Sequence, residues 1–207
     1  MHGVRDLLKK CMEDGVAQGV FPGAVLLVFS RGDVVFFEAF GYSMVYPRER
    51  LMRKETFFDV ASITKVVVTV SIVMMLVEKG VFHVDQSIKD FYPNIDNRKS
   101  NITISDLLSH SSGLPAWHPF YLELEEEEKK SGVRLIGEKK AWDFVINRIM
   151  EMELDYEPGS KHVYSDLGFI LLGDIIRKVT GKGIAETFRQ MVCAPLGMDG
   201  SFFRDKV

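Results

Sequence analysis

The chain has 207 residues, of which 46% are apolar and 27% charged, and its formal net charge is −3. This is the ordinary composition of a globular protein with a substantial core, and the lack of a basic stripe argues against nucleic-acid binding. No run of residues is apolar and long enough to cross a bilayer, and the first residues have no apolar signal core, so the sequence predicts a cytoplasmic protein. Cys11 and Cys193 lie far apart and are predicted to be free thiols of a reducing compartment.

The first third of the chain predicts one helix followed by a hairpin. Val4 to Gly19 has apolar residues at helical spacing. Ala24 to Phe29 and Val34 to Phe40 are predicted strands, joined by the turn signal Ser30-Arg31-Gly32-Asp33. Gly41 to Lys54 is polar and is predicted to be irregular.

The apolar run from Val66 to Val77 allows two interpretations. Its valine-rich first half favours a strand on propensity, whereas its length and the following Gly80 favour a buried helix. We predict a helix.

Helices are predicted for most of the remaining chain. Thr103-Ile104-Ser105-Asp106 resembles a capping box, so a helix should begin near Ser105, and Gly113-Leu114-Pro115 should end it. The charge run Glu123 to Lys130 is typical of a solvated helix or loop. Further helices are predicted at Lys139 to Met152, Leu167 to Thr180 and Ile184 to Val192. Because an isolated hairpin is marginal in water, either the hairpin packs on the flanking helix or strands are missing from this chain.

Ser62-Ile63-Thr64-Lys65 is the only Ser-x-x-Lys in the sequence and directly precedes the helix predicted from Val66. If the helix begins at Ser62, the two side chains lie on one face, a turn apart. An amine held against a serine hydroxyl is one way to activate a weak nucleophile. About one such tetrapeptide is expected by chance in a chain of this composition. It therefore indicates a catalytic site only if other catalytic residues or motifs accompany it.

Tyr164 is a candidate proton carrier for that serine. It follows the turn at Pro158-Gly159 and precedes the helix predicted from Leu167, so a short loop should display it. A lysine ammonium nearby would lower the pKa of the phenol, which could then take and return a proton. The alternative is a tyrosine that only packs its ring and hydrogen-bonds through its hydroxyl.

Several segments of the chain together resemble one protein family. They read FDVASITK at 58–65, LLSHSSGLP at 107–115, EPGSKHVYSDLGF at 157–169, LLGDII at 171–176 and APLGM at 194–198. In this order they resemble the serine β-lactamase and penicillin-binding-protein superfamily, most closely its class C-like branch of D-alanyl-D-alanine carboxypeptidases and serine esterases. The resemblance runs from about Gly23 to Phe203.

The resemblance implies a role for each matching residue. Ser62 would be the acylated nucleophile, with its backbone N–H as half of an oxyanion hole. Lys65 would stabilise the seryl oxygen or assist its deprotonation, and which group acts as base is left open. Tyr164 would be a general acid/base, and Asp166 falls where β-lactamases usually carry asparagine.

The chain departs from the family pattern in two ways. An ionised Asp166 offers only acceptors where asparagine offers an N–H donor, which favours ester or peptide substrates over β-lactams. The family also has a third motif, Lys- or His-Thr/Ser-Gly on a strand, and we expect no such triplet anywhere in this chain. We therefore expect this chain to be an N-terminal portion that lacks the third motif, the second oxyanion donor and the C-terminal strands of the sheet.

These observations predict an α+β fold of the β-lactamase/transpeptidase type, with an N-terminal hairpin and a mostly helical remainder. One truncated domain is expected, of which 1–60 hold the first helix and hairpin, and 61–207 hold both candidate motifs. The predicted function is a serine hydrolase acting on an ester, peptide or amide through Ser62, Lys65, Tyr164 and Asp166, with no cofactor and no metal. The alternative is a catalytically incomplete or non-catalytic relative that self-associates or pairs with a missing C-terminal portion.

Two further sets of residues were open to more than one interpretation. His110 could belong to a charge relay, but we predict a buried, hydrogen-bonded structural histidine. Trp117, Phe120 and Tyr121 follow a Gly-Leu-Pro loop and would either line a substrate cleft or simply pack.

Overall fold

In the computed structural model, which describes residues 2–203, the first of two units, Met1–Val60, joins one helix to a small sheet. Helix α1 spans His2–Ala17. Strands β1 (Gly23–Ser30), β2 (Asp33–Met44) and β3 (Arg50–Leu51) form an antiparallel sheet in the order β1-β2-β3. The helix and both predicted strands are therefore confirmed.

The hairpin turn follows directly from its sequence. Ser30 pairs with Asp33, which leaves a two-residue loop of Arg31 and Gly32 with φ of 54° and 91°. Turns with positive φ at both central residues match the twist of paired strands, and glycine adopts this conformation without strain. Beyond the turn, Phe36 and Phe40 are buried on one face of β2 and stack with ring centroids 6.4 Å apart.

The segment predicted to be irregular is more ordered than expected. Strand β2 continues to Met44, and Tyr42 pairs with Leu51 to add β3. The prediction for Gly41 to Lys54 is wrong in this respect, because the pairing depends on a cross-strand partner and not on local propensity.

In the second unit, Ala61–Val207, the regular secondary structure of the described residues is helical, apart from an isolated β-bridge between Ser87 and Thr103. A π-helical segment, Lys65–Val70, runs into α2 (Ser71–Glu78). The other helices are α3 (Ile104–Leu108), α4 (Phe120–Ser131), α5 (Lys139–Glu151), α6 (Asp166–Thr180), α7 (Ile184–Phe188) and α8 (Ala194–Leu196). Short 3₁₀ turns lie at Ile88–Asp90 and Asn97–Lys99, and a π-helical turn at Arg189–Cys193.

The helix interpretation of Val66 to Val77 is confirmed, and so is the capping box. The Thr103 hydroxyl accepts the Asp106 N–H at 3.1 Å, and the Asp106 carboxylate accepts the Thr103 N–H at 2.9 Å. Helix α3 ends at Leu108, however, and not at Gly113 as predicted. The acidic run lies in α4, so the helical alternative is the right one there.

The core of this unit surrounds α6. Leu167, Leu171, Leu172, Ile175 and Ile176 on that helix are buried. They belong to one apolar cluster with residues of α2, α3 and α5, which holds the ends of these helices in fixed positions. Within the described residues 2–203, no helix is both long and apolar enough to cross a membrane.

Candidate active site

Ser62 lies at a sharp turn into a helix. Residues 63–78 are helical, and the preceding Ala61 has φ of 43°, in the left-handed region that non-glycine residues rarely adopt. The Lys65 N–H donates to the Ser62 carbonyl at 3.0 Å, so the first turn forms directly behind the serine. Strained backbone and π-helical geometry are both common at functional sites.

Lys65 joins Ser62 to Asp166. Its Nζ lies 3.3 Å from the Ser62 Oγ and 2.6 Å from the Asp166 Oδ1. The lysine side chain is only 16% exposed. Burial lowers the pKa of Lys65, but hydrogen bonds with Asp166 and Tyr164 and the charges of these groups raise it more, so the pKa lies above its ordinary value. The lysine is therefore held as an ammonium.

Tyr164 reaches the same two residues from the loop before α6. Interaction of its hydroxyl with Lys65 first, and then with Ser62, lowers the pKa of Tyr164 below its ordinary value, although burial and Asp166 oppose the shift. The Lys65 Nζ also lies 4.9 Å from the centroid of the Tyr164 ring. About half of the tyrosine is exposed.

Asp166 is the first residue of α6. The Ser165 hydroxyl caps this helix by accepting the Gly168 N–H at 3.4 Å. The Asp166 N–H donates to the Ala116 carbonyl at 2.8 Å. A carboxylate in the first turn of a helix is stabilised by the helix dipole. Three of the predicted site residues, Ser62, Lys65 and Asp166, are thus joined by hydrogen bonds, and the fourth, Tyr164, contacts the same lysine with its ring.

An open cleft of about 280 Å³ adjoins this cluster and shares Asp166 with it. Its other lining residues are Trp117, His118, Phe120, Tyr121, Leu167 and Ile170. Trp117, Phe120 and Tyr121 therefore line a cleft, which is the first of the two alternatives that the sequence left open. Phe120 is also buried in the core. His118 is held by Glu123 at 2.8 Å, and Glu123 in turn accepts from Arg148 at 3.1 Å.

His110 is half-buried and not fully buried as predicted, although it is hydrogen-bonded. Its ring centroid lies 4.5 Å from that of Tyr164. Sequence reasoning missed this contact, because nothing in the spacing of the two residues signals it. Among residues 2–203, no group of three or more His, Cys, Asp or Glu side chains could hold a metal ion.

One triplet with the composition of the third motif does occur, and sequence reasoning missed it. Lys130-Ser131-Gly132 lies at the end of α4, where Gly132 is the C-cap with φ of 67°. It therefore terminates a helix and does not lie on a strand, as the third motif requires.

Comparison with known proteins identifies the family. The Beta-lactamase family model matches residues 8–206. The chain is 34% identical over 205 residues to an N-acetylmuramyl-L-alanine amidase of Bacillus subtilis (strain 168), covering 93% of this chain and 44% of the relative. It is 31% identical over 196 residues to a predicted D-alanyl-D-alanine carboxypeptidase of Escherichia coli (strain K12), covering 88% of this chain and 43% of that protein.

A solved structure agrees with these relatives. The octameric penicillin-binding protein homologue from Pyrococcus abyssi is 31% identical and superposes with a TM-score of 0.75, covering 94% of this chain and 43% of that one. The chain thus spans less than half the length of these relatives. The predicted β-lactamase/transpeptidase-like α+β fold is confirmed, and the chain belongs to the beta-lactamase family.

Proposed function

We propose that this chain carries the nucleophile of a serine hydrolase that forms an acyl-enzyme on Ser62. The observation that carries the proposal is the continuous contact from the Asp166 carboxylate through the Lys65 ammonium to the Ser62 hydroxyl, at 2.6 Å and 3.3 Å. A serine without such neighbours is a weak nucleophile at neutral pH. The relatives named as an amidase and a carboxypeptidase support hydrolysis as the reaction class.

Tyr164 is the proton acceptor in this proposal, and Lys65 is its electrostatic partner. A lysine whose pKa is raised stays charged at neutral pH and cannot take a proton. A phenol whose pKa is lowered can take one more readily. The ammonium of Lys65 stabilises the phenolate form of Tyr164 and the developing negative charge near Ser62.

In the proposed acylation step, the Ser62 Oγ attacks the carbonyl carbon of the substrate while its proton passes to the Tyr164 phenolate oxygen. The tetrahedral intermediate then breaks its bond to the leaving oxygen or nitrogen, and Tyr164 gives the proton to that atom. In deacylation, water attacks the carbonyl carbon of the acyl ester while Tyr164 takes one proton of the water. The bond between that carbon and the Ser62 Oγ then breaks, the carboxylic acid leaves, and Tyr164 gives the proton to the Ser62 Oγ. Both residues end in their starting states.

The proposed substrate is an ester, peptide or amide. Ester or peptide bonds are favoured over β-lactams because the ionised Asp166 offers only hydrogen-bond acceptors to an incoming amide. The cleft beside Asp166 is lined mainly by aromatic and aliphatic side chains, which suits an apolar group next to the scissile bond. We also propose that the protein works in a reducing compartment, in keeping with an exposed Cys11 and a buried Cys193 that are both free.

A fluorophosphonate probe followed by peptide mass spectrometry tests the proposal. The probe should form one adduct on Ser62, and Ser62→Ala should abolish it. Ser105→Ala is the matched control, because it removes an exposed serine from α3. A folded chain that gains no adduct, or that is labelled equally on Ser62 and Ser105, would refute the proposal.

A second candidate function follows from the third motif. No strand among residues 2–203 carries a Lys- or His-Thr/Ser-Gly triplet, and in this candidate a second copy of the chain supplies the missing part of the site. The octameric penicillin-binding protein homologue from Pyrococcus abyssi supports self-association as the way in which the site is completed. Under this candidate, the rate constant for Ser62 labelling should rise with protein concentration. A concentration-independent rate from a monomer, measured with light scattering, would exclude it.

A further inference from the structure

His110 holds the backbone on both sides of Tyr164. Its carbonyl accepts the Val163 N–H at 2.9 Å, and its Nδ1 accepts the Ser165 N–H at 3.0 Å. The Tyr156 hydroxyl also donates to the His110 carbonyl, at 3.3 Å. His110 lies more than 50 positions earlier in the chain and therefore fixes, through long-range contacts, the backbone on both sides of Tyr164.

The imidazole also supports the tyrosine ring. The His110 ring centroid lies 4.5 Å from that of Tyr164 and 5.1 Å from that of Phe169, with ring planes inclined by 33° and 32°. These separations are typical of favourable aromatic contacts. Two backbone bonds and one ring contact thus fix where the phenol lies relative to its own loop.

The hydrogen bond at Nδ1 also fixes the protonation state of His110. A backbone N–H can only donate, so Nδ1 must be the unprotonated nitrogen and the ring proton must be on Nε2. Burial, and to a smaller degree the charge of Lys65, lower the pKa of His110, which favours this neutral form, although the charge of Asp166 acts weakly in the opposite direction.

We propose that His110 is a positioning residue for Tyr164, which keeps the phenol beside Lys65 and Ser62. This inference rests on the proposed function, in which Tyr164 carries the proton. A histidine suits the position because it combines a ring, an acceptor at Nδ1 and tolerance of a left-handed backbone, here with φ of 59°. Asparagine shares the last two properties, since its Oδ1 is separated from Cα by the same number of bonds as Nδ1.

The test measures the phenol of Tyr164 directly, in the 207-residue chain with ¹³Cζ-labelled tyrosine. Tyr164→Phe assigns the resonance among the six tyrosines of the chain. In His110→Ala the pKa of Tyr164 should rise towards about 10, and the rate of Ser62 labelling should fall about tenfold or more, because the phenol is no longer held against Lys65. His110→Asn should retain the low pKa of Tyr164 and most of the labelling, and the exposed His83→Ala should behave as wild type.

The outcomes separate this inference from the proposed function. If wild type is not labelled on Ser62, the proposed function fails, but the phenol titration still decides the role of His110. An unchanged pKa of Tyr164 in His110→Ala, or an equal shift in the Ala and Asn variants, would overturn the inference. If His110→Ala does not fold, ¹⁵N spectra of the wild-type imidazole decide: a protonated Nε2 supports the inference, and a protonated Nδ1 contradicts it.

Discussion

Asp166 sets the charge balance of the candidate site at the scale of single residues. Its carboxylate lies 2.6 Å from Lys65 and helps to keep the lysine charged. It also borders the cleft, where it can accept hydrogen bonds from a ligand but cannot donate any. The same side chain therefore affects both the activation of Ser62 and the choice of substrate.

We predict that Asp166→Asn increases acylation of Ser62 by penicillin relative to a fluorophosphonate by about tenfold, the effect of one well-made hydrogen bond to the substrate amide. The reason is that asparagine supplies an N–H donor. Adduct formation is followed by mass spectrometry of the intact protein. The exposed Asp85→Asn is the control. An unchanged ratio of the two rates would show that Asp166 does not determine the substrate.

Lys65 gives a second prediction, on pH dependence. The pKa of Tyr164 is lowered first by its hydrogen bond with Lys65, so the phenolate forms at a lower pH than in free tyrosine. The rate of Ser62 labelling should therefore rise with pH and level off below about 10, the ordinary pKa of tyrosine. In Lys65→Gln, which lacks the ammonium, this rise should move to higher pH.

The exposed Lys89→Gln serves as the control for this measurement, because it removes a positive charge elsewhere on the unit. A pH profile of Lys65→Gln that coincides with wild type would contradict the role given to Lys65.

Helix α6 connects the site to the core at the scale of secondary-structure elements. It begins with Asp166 and carries the buried Asp174 two turns further on. The Asp174 carboxylate accepts from the Tyr92 hydroxyl at 2.8 Å, the Trp142 indole at 2.7 Å and Arg177 at 2.8 Å. These bonds link α6 to α5 and to the loop that carries Tyr92.

We predict that Asp174→Ala lowers the free energy of unfolding by about 3–5 kcal/mol at neutral pH, because it leaves buried donors and the Arg177 charge without their partner. Burial raises the pKa of Asp174, but its hydrogen bonds and nearby cations lower it more, so the carboxyl titrates below its ordinary range. The stabilisation is therefore present above the unfolded pKa of about 3.9 and is lost as pH falls through the lower folded pKa.

Urea denaturation measures both parts of this prediction. The difference in the free energy of unfolding between wild type and Asp174→Ala should become smaller as the pH is lowered below about 4. The exposed Asp85→Ala should stay close to wild type throughout. A difference that does not depend on pH would contradict the account of Asp174.

Local patterns predicted most helices and the hairpin, because caps, apolar periodicity and turn residues act over a few positions. They did not predict β3 or the early end of α3, which depend on partners elsewhere in the chain. The same division applies to the site. Motifs selected Ser62 and Tyr164, but the contact between His110 and the loop of Tyr164 joins residues 55 positions apart through an unusual left-handed backbone at His110.

At the scale of the whole molecule, the site residues Ser62, Lys65, Tyr164 and Asp166 all lie in the unit Ala61–Val207. The relatives are more than twice as long as the region they share with this chain, which covers 44% of the Bacillus subtilis amidase. We propose that the geometry of this unit is sufficient for acylation of Ser62. Deacylation and choice of substrate are the steps that further residues would affect most, through a second oxyanion donor and the remaining cleft walls.

Rapid mixing with a p-nitrophenyl ester tests the central claim, acyl-enzyme formation on Ser62, most directly. We predict a burst of about one equivalent of p-nitrophenol per chain, with the acyl group recovered on Ser62 by mass spectrometry after acid quench. The burst should be absent in Ser62→Ala and much slower in Tyr164→Phe. Release of p-nitrophenol without a burst, at the same rate in wild type and Ser62→Ala, would contradict the claim.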